Sequence, residues 1–355
     1  MKSLLIITSI LCILGLLFVF ESSTTEGLNT FGDQYYFVRQ QSIGLAIGIF
    51  AMGVGLLTPT SLLKKLAPVM YLGSIFALLL VFVPGIGQEF NGAQRWISIF
   101  DITVVQPIEI AKLGVIIGLA YTLSRHQRLL PFLTMSLVPI GLVILQPDLG
   151  STLLLAAICG GLFFLAGGKT KWVVLIGVSI LLFTAIAIFS SQYRTERFLT
   201  FINPDRDPLG ASFHIRQITL ALGRGGVLGQ GIGNSRQKVA FIPEPSTDSI
   251  FAITAEEVGF LGSSAIILLY ATYGALGWKI ARKQASDPFR YLLACGIIVW
   301  ISLQAIINLA ALVALIPLKG MPLPFFSYGS SSLVMVLFGT GILAKLDTIS
   351  TTKKN

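Results

Sequence analysis

The sequence predicts an all-α protein that crosses a membrane many times, and three observations support this fold class. Hydrophobic residues make up 54% of the 355 residues, and the mean hydropathy is +0.83. Charged residues make up only 12%, against about 25% in soluble domains. Apolar runs close to the length that a membrane-spanning helix needs, about 20 residues, recur along the whole chain.

We predict about ten transmembrane helices within a single membrane domain of residues 1–355. They cover residues 3–20, 41–59, 66–84, 104–123, 131–146, 149–167, 172–190, 250–278, 289–316 and 326–345. The first run is too long for a signal peptide and no small-residue cleavage site follows it, so we predict a retained helix. The fifth and sixth runs are short and separated only by residues 147–149. Their pattern is also typical of one kinked helix or of a re-entrant pair.

The Lys and Arg residues predict the orientation of these helices. Fourteen of them lie at the N-terminus, after every second predicted helix and at the C-terminus: Lys2, Lys64, Lys65, Arg125, Arg128, Lys169, Lys171, Lys279, Arg282, Lys283, Arg290, Lys345, Lys353 and Lys354. The positive-inside rule assigns this face to the cytoplasm. Both termini are then cytoplasmic, and residues 191–249 form one long extracytoplasmic loop.

Cysteine and histidine usage disfavours several kinds of site. The three cysteines lie inside apolar runs, which is typical neither of a disulfide framework nor of a CxxC metal site. Only two histidines are present, far apart in the sequence, so a histidine-based metal centre or Ser-His catalysis is not expected.

A lone carboxylate, Asp248, lies where the long polar loop enters an apolar segment, and Glu256 and Glu257 follow within the next turns. Asp is favoured as a helix N-cap, so one interpretation of Asp248 is structural. Carboxylates near lipid also tend to face a cavity or a partner, which gives a functional interpretation. The two are compatible, because a cap lies at the mouth of whatever its helix lines.

Glu109 and Lys112 are three residues apart in the fourth predicted helix, so they share a helix face. One interpretation is a mutually neutralised pair that fixes helix packing. The other is a functional pair, since ionisable residues at membrane depth are functional candidates by default.

Two further charged residues lie in the predicted extracytoplasmic connections. Arg95 lies beside Trp96, which suits the interfacial aromatic belt, and Arg95 is a candidate to bind a phosphate or a carboxylate. Asp148 follows Pro147 at a helix break, with Ser151 three residues on. This pattern favours Asp148 as the cap of the sixth helix.

The long loop carries seven basic residues, which on this face indicate a polyanionic partner: Arg194, Arg197, Arg206, Arg216, Arg224, Arg236 and Lys238. Phosphates are the class expected, since Arg offers planar bidentate donors to their oxygens. Residues 223–233 are dense in glycine but form no Walker motif, because no Gly-Lys-Ser/Thr follows. They predict a close-packed turn or backbone amides that approach an anion.

Residues 319–332 combine prolines and glycines with small polar residues before the last predicted helix. Irregular backbone at membrane depth is tolerated only where it is buried in protein or lines a wet cavity. We therefore expect this segment, with Pro324, Ser327 and Ser331, to help form the wall of the extracytoplasmic cavity.

Five motifs in this order resemble the SEDS family, whose members are called FtsW, RodA and SpoVE. They are NGAQRWI (91–97), QPIEIAK (106–112), QPDLGST (146–152), PEPSTDSIFAITAEEVGFLG (243–262) and GMPLPFFSYGSSS (320–332). Together they extend over nearly the whole chain. Residues 234–238, NSRQK, look more like the FtsW/SpoVE branch than the RodA branch.

The resemblance implies a peptidoglycan glycosyltransferase of the bacterial cytoplasmic membrane. Such proteins polymerise lipid II on the outer face, with a class B penicillin-binding protein as transpeptidase and with other division or elongation proteins. Asp248 matches the aspartate held to be catalytic in the family's His-Thr-Asp-Phe motif. Ser246 and Ser249 stand where members usually have His and Phe, and Ile108 replaces a usual Ser.

These inferences predict Asp248 as the base, a basic site for the pyrophosphate and a supporting wall. The predicted substrate-binding residues are Lys112, Glu109, Arg95, Arg206, Arg216, Arg236, Lys238, Ser327 and Ser331. The predicted supporting residues are Glu256, Glu257, Asp148 and Pro324. A divalent cation, Mg²⁺ or Mn²⁺, is a candidate cofactor, and we expect no organic cofactor. Membrane lipid is an expected partner, whereas nucleic acid is not. The alternative functions are a lipid II flippase and a non-catalytic scaffold that recruits the transpeptidase.

Overall fold

The structure, a computed structural model, describes residues 1–90, 93–99, 103–203, 212–235, 246–317 and 320–352. Helices account for most of the described residues, with one small sheet. The helices are α1 (Lys2–Phe31), α2 (Tyr36–Leu57), α3 (Thr60–Leu80), α4 (Pro107–Leu123), α5 (Leu129–Leu145), α6 (Leu149–Leu165), α7 (Thr170–Phe189), α8 (Gln192–Ile202), α9 (Phe213–Gly225), α10 (Ile250–Lys283), α11 (Pro288–Leu312) and α12 (Ser330–Thr352). The predicted all-α membrane fold is confirmed.

Each of the ten predicted spans contains a helix. Within the described residues, seven helices are long and apolar enough to cross a membrane, namely α1, α2, α3, α7, α10, α11 and α12. The shorter apolar helices α5 and α6 are separate, with Pro147 at φ 28° between them. Helix α1 continues past its apolar run to Phe31 and ends at Gly32, which adopts the left-handed conformation that glycine favours.

A three-stranded antiparallel sheet lies between α3 and α4, where the sequence predicted only a loop. Its strands are β1 (Gly87–Phe90), β2 (Ala93–Ile99) and β3 (Thr103–Val105), in the order β1-β2-β3. On β2, Ala93 and Ile97 are buried, and Ile97 is paired with both Gly87 and Val105. The period of two along so short a run is hard to recognise among longer helical patterns.

Helix α4 lies inside the bundle and is buried along most of its length by α3, α5, α6, α11 and α12. Helices α2 and α12 pack closely because α2 presents glycines to α12. A Cβ atom added to Gly48 would lie 2.5 Å from Leu337, and one added to Gly55 would lie 2.6 Å from the Phe338 carbonyl oxygen. Small residues of this kind let helix backbones approach in a membrane.

Two amphipathic helices, α8 and α9, lie within the stretch predicted as a long loop. Buried Ile218, Ala221 and Gly225 follow one another at helical spacing on α9, and they face α10. The stretch therefore contains regular structure that packs on the membrane helices.

Helix α10 is broken at Gly259, whose φ of 68° and ψ of −169° are not helical. The part that follows Gly259 is long enough to span a membrane by itself, at about 1.5 Å per residue. The part before it, residues 250–258, is a separate short helix that follows Asp248.

The glycine-dense stretch packs against this break. We call residues 225–231 together with residues 255–261 the glycine junction. The backbone groups that the broken helix leaves unpaired find partners across it, so the prediction of a close-packed turn is confirmed. Its hydrogen bonds run from Gln230 N to Glu256 O (3.0 Å), Gly231 N to Glu257 O (3.0 Å), Phe260 N to Gly226 O (2.9 Å) and Leu261 N to Val227 O (3.1 Å).

Candidate active site

Asp248 lies in a half-buried turn of residues 246–249, which we call the Asp248 turn. Ser249, not Asp248, occupies the N-cap position of α10, and it makes no side-chain cap hydrogen bond. The interpretation of Asp248 as a helix cap is therefore wrong, because the helix begins one residue later than that role requires. The backbone of Gly320 lies close to the carboxylate, since a Cβ on Gly320 would lie 3.0 Å from Asp248 Oδ2.

The Asp248 turn is attached to α1 and α9 by the two serines that depart from the family motif. Ser246 Oγ donates to Glu26 Oε2 of α1 at 3.2 Å. Ser249 Oγ and His214 Nε2 of α9 form a hydrogen bond of 2.8 Å. The turn is also attached to residues 320–329, because Tyr328 N donates to Ser246 O at 2.9 Å.

Residues 320–329 are held by amide side chains of α2 and α11. Asn308 Nδ2 donates to Met321 O (2.7 Å) and to Asp248 O (3.4 Å), which joins this segment to the turn. Gln304 Nε2 donates to Pro322 O (2.9 Å). Gln41 Nε2 donates to Ser327 O (3.1 Å), and Gln41 Oε1 accepts from Gly329 N (3.2 Å). Irregular backbone at this depth therefore has protein partners, as expected.

Lys112 lies within a buried polar network. Its ammonium donates to Glu109 Oε1 and to Gln304 Oε1, both at 2.8 Å, and lies 5.1 Å from the centre of the Trp300 ring. Lys112 and Glu109 are only 2% and 3% exposed, so neither faces solvent in this conformation. Through Gln304, the pair supports the backbone at Pro322; direct binding of pyrophosphate by either residue stays a prediction.

Arg95 and Asp148 lie together at the break between α5 and α6. Asp148 Oδ1 accepts from Ser151 N at 2.9 Å, so the predicted cap of α6 is confirmed. Arg95 donates to Gln146 O (3.2 Å) and to Pro147 O (2.6 Å), and it lies 4.0 Å from the Asp148 carboxylate. These contacts attach the sheet to the break, and binding of a phosphate by Arg95 stays a prediction.

Glu256 and Glu257 are buried beside the glycine junction. Ser235 binds both, through its hydroxyl to Glu256 Oε2 and through its backbone N–H to Glu257 Oε1. Glu256 also lines a cavity of about 260 Å³ together with Arg224, Gln230 and Asn234. The carboxylates and this small polar cavity therefore lie on the glycine junction.

The remaining predicted site residues have the following places. Ser327 Oγ accepts from Leu323 N at 2.9 Å, Ser331 Oγ accepts from Gln106 N at 3.3 Å, and Tyr270 Oη donates to Pro324 O. These contacts hold the loop backbone. Arg216 is exposed on α9. Arg206, Arg236 and Lys238 lie outside the described residues.

No metal centre is formed by the part of the chain that the structure describes. In it, no group of three or more His, Cys, Asp or Glu side chains is arranged to hold a metal ion. The divalent cation, Mg²⁺ or Mn²⁺, stays a prediction, and so does the expectation that no organic cofactor is used.

Five residues that hold this site were not predicted from the sequence: Glu26, Gln41, His214, Gln304 and Asn308. One signal was available for Gln304 and Asn308. They are four residues apart in an apolar run, which places two amides on one helix face. Glu26 and His214 gave no such signal, because their partners are more than 30 residues away in the sequence.

Comparison with known proteins relates this arrangement to a family. A family model described as a cell cycle protein, for FtsW, RodA and SpoVE, matches residues 1–352. A probable peptidoglycan glycosyltransferase FtsW of Geobacter sp. (strain M18) is 36% identical over 352 residues, covering 97% of this chain and 95% of the relative. Stage V sporulation protein E of Bacillus subtilis (strain 168) is 36% identical over 355 residues, covering 98% and 96%.

Two solved structures share the fold. One, described as the structural coordination of polymerization and crosslinking by a peptidoglycan synthase complex, matches with a TM-score of 0.79 and 27% identity over 99% of this chain and 98% of that one. The crystal structure of the rod shape determining protein RodA of Thermus thermophilus matches with a TM-score of 0.72 and 24% identity, covering 98% and 96%.

The helices and the family define a multi-pass protein of the cytoplasmic membrane. The chain belongs to the FtsW/RodA/SpoVE family, which is the SEDS family that its motifs resemble. The two curated relatives are an FtsW and a SpoVE protein, in agreement with the branch predicted from residues 234–238.

Proposed function

We propose that this protein polymerises lipid II into glycan strands on the outer face of the cytoplasmic membrane, with Asp248 as the general base. The enzyme class is glycosyltransferase, as the names of the curated relatives indicate. The observation that carries the residue assignment is the placement of Asp248. Its carboxylate packs against Gly320, in a turn joined to α1, α9, α11 and residues 320–329.

The chemistry of the substrate fits these surroundings. Transfer to a sugar hydroxyl needs a base that takes the hydroxyl proton, and it needs positive charge near the departing pyrophosphate. Asp248 supplies the base. Arg216 and the basic residues of the adjoining stretch supply the charge, and a divalent cation would add to it through the phosphates of the substrate.

The polyprenyl tail needs an apolar path that opens to the bilayer. An apolar cleft of about 250 Å³ lies between α3, α4 and α12, and its lining includes Met70, Ile110, Leu113, Met335 and Phe338. Ile110 and Leu113 belong to the same helix as the buried Glu109–Lys112 pair. We assign part of the tail to this cleft.

A transpeptidase partner of class B is part of the proposal. The structural neighbour with a TM-score of 0.79 belongs to a complex described as coordinating polymerization and crosslinking. Its fold matches this chain over nearly the whole length, which supports an equivalent association here, in division or a related wall-building process.

The substitution Asp248→Asn tests the proposal. Asn is nearly isosteric with Asp and can still form hydrogen bonds, so the variant should remain folded. It cannot accept a proton at neutral pH, and loss of a general base costs roughly 10²–10⁴-fold in rate. We therefore expect almost no polymerisation of lipid II by the purified variant, with substrate binding retained.

The control is Asp33→Asn, which removes a carboxylate that pairs with Arg39 at the surface, and it should polymerise normally. A folded Asp248→Asn variant with more than about a tenth of wild-type turnover would exclude Asp248 as the base, since this lies well above the general-base range. Neither alternative function forms glycan in this assay: a flippase moves the monomer across the membrane, and a scaffold only recruits the transpeptidase.

A further inference from the structure

The Asp248 turn is held by side chains of two different helices, and the proposed reaction does not use either of them. Glu26 of α1 accepts a hydrogen bond from Ser246. In addition, His214 of α9 shares a hydrogen bond of 2.8 Å with Ser249, which is fully buried. Asp248 lies between the two serines, so both contacts act on the backbone that carries its carboxylate.

The hydroxyl of Ser249 forms a hydrogen bond with a side chain of another helix. Ser249 occupies the N-cap position of α10, where a serine side chain ordinarily accepts from a backbone N–H of the first turn. It makes no such bond here, and its hydrogen bond with His214 links the first residue before α10 to α9. The link therefore joins two helices instead of closing one.

Helix α9 can hold this link in place because the C-terminal end of α9 also contacts α10. The C-terminal residue of α9, Gly225, begins the glycine junction, and a Cβ added to it would lie 2.2 Å from the Ala255 carbonyl oxygen. His214 lies near the N-terminal end of the same helix. Helix α9 thus contacts residues 249–258 at both ends of that short helix.

The imidazole of His214 is uncharged near neutral pH. Burial, and to a smaller extent the charge of Arg197, lower the pKa of His214 to about 4. A neutral imidazole can keep its hydrogen bond to Ser249 without placing a positive charge beside the carboxylate.

We propose that His214 is a positioning residue for Asp248. By holding Ser249 against α9, His214 fixes the position of the Asp248 carboxylate. This inference rests on the proposed function of Asp248 as the base. A shift of about 1 Å in a catalytic group can cost on the order of 10²-fold in rate, so an anchor one residue away has a measurable effect on turnover.

The test compares the steady-state kinetics of lipid II polymerisation for wild type, His214→Ala, His214→Gln and Ser249→Ala. We expect kcat to fall about 10- to 100-fold in the two alanine variants with KM nearly unchanged, because the contact orients the base and does not bind substrate. His214→Gln keeps a hydrogen-bonding group and should recover most of the lost kcat. The double alanine variant should be no slower than the single ones, since both remove the same contact.

Thr219→Ala is the matched control, because Thr219 lies on the exposed face of α9 and its hydroxyl donates to Ile215 O within the helix. Kinetic constants are compared only between variants whose melting temperatures match that of the wild type. Hydrogen exchange of residues 246–258 should increase in both alanine variants. If His214→Ala unfolds, Ser249→Ala and His214→Gln carry the test.

A wild-type kcat in a folded His214→Ala or Ser249→Ala variant would overturn the inference, and so would additive losses in the double variant. If Asp248→Asn is inactive while these variants are normal, only the role of His214 fails. If wild-type protein forms no glycan, the proposed function fails, and this inference fails with it.

Discussion

Asp148, Glu109, Glu256 and Asp248 are four carboxylates of the helices and their connections, and each has different neighbours. Asp148 caps α6 and lies near Arg95. Glu109 pairs with buried Lys112, and Glu256 accepts from Ser235. Asp248 lies beside the bare backbone of Gly320 in a turn that is only half-buried. Of the four, Asp248 is the least buried, which a base that meets its substrate requires.

The Glu109–Lys112 pair should stabilise the fold only as a pair. Lys112→Met leaves the Glu109 carboxylate buried without its cation, which typically costs 3–5 kcal/mol. We expect the single variant to lose roughly this much unfolding free energy, whereas Glu109→Leu with Lys112→Met should recover most of it. Thermal unfolding in detergent measures both effects.

Lys65→Met is the control for this series, since Lys65 is exposed on α3 and its loss should leave stability nearly unchanged. A double variant no more stable than Lys112→Met alone would contradict the pairing. A folded double variant with normal polymerisation would show that the pair serves packing only.

At the residue scale, the sequence indicated which charged residues are notable, but it predicted their structural roles less well. Asp148 was predicted as a cap from three neighbouring residues, and local rules suffice for such a role. The cap interpretation of Asp248 was wrong, because the start of α10 depends on contacts with α9 and α11 that a local pattern does not contain. The enclosure of Lys112 depends on Gln304, which is 192 residues away.

At the scale of helices and loops, the close packing of the glycine junction explains why so many glycines lie at the end of α9 and between α9 and α10. Gly229 has a φ of +87°, a conformation that costs other residues of order 1–3 kcal/mol. A Cβ on Gly229 would also lie 2.1 Å from the Glu257 carbonyl oxygen. Two backbones can therefore approach closely enough to exchange hydrogen bonds only when glycine occupies this position.

Gly229→Ala should accordingly destabilise the protein by a few kcal/mol, on the order of 3, from backbone strain together with overpacking. Gly223→Ala is the matched control, because Gly223 lies inside α9 and no atom of the described residues lies within 4 Å of its Cβ position. It should be neutral or stabilising by about 0.5–1 kcal/mol. Equal melting temperatures for the two variants would show that the junction tolerates a side chain.

The sequence predicted the helices well because long apolar runs leave few alternatives in a membrane. It missed the sheet and the two amphipathic helices, whose patterns are short and partly polar. The sheet forms because residues 87–90, 93–99 and 103–105 pair with one another across neighbouring strands. Helix α9 forms because its apolar stripe packs on α10.

Over the whole molecule, burial divides the helices into an inner and an outer set. In the most apolar part of α11, 67% of the residues are buried, whereas in α7 the fraction is 6%. Within the described residues, α7 packs mainly on its sequence neighbours α6 and α8, and most of its apolar surface is exposed. Many residues of the candidate site come from the more buried helices, such as α10 and α11, and from the connections to them.

The orientation of the molecule is still a prediction, and single cysteines can test it. The three native cysteines are buried, so labelling by a membrane-impermeant thiol reagent in intact cells should report the introduced residue. We expect Thr219→Cys to be labelled and Ser286→Cys to be protected, because both positions are exposed but lie on opposite predicted faces. Labelling of Ser286→Cys alone would invert the topology.

The break in α10 also has a consequence for how the protein is made. Two carbonyl groups and two N–H groups at this break would be costly to leave unpaired close to lipid. The ribosome delivers residues 225–231 before residues 255–261, so the partners for these four groups already exist when α10 enters the membrane. The break can then be closed during synthesis, without waiting for any segment that emerges later.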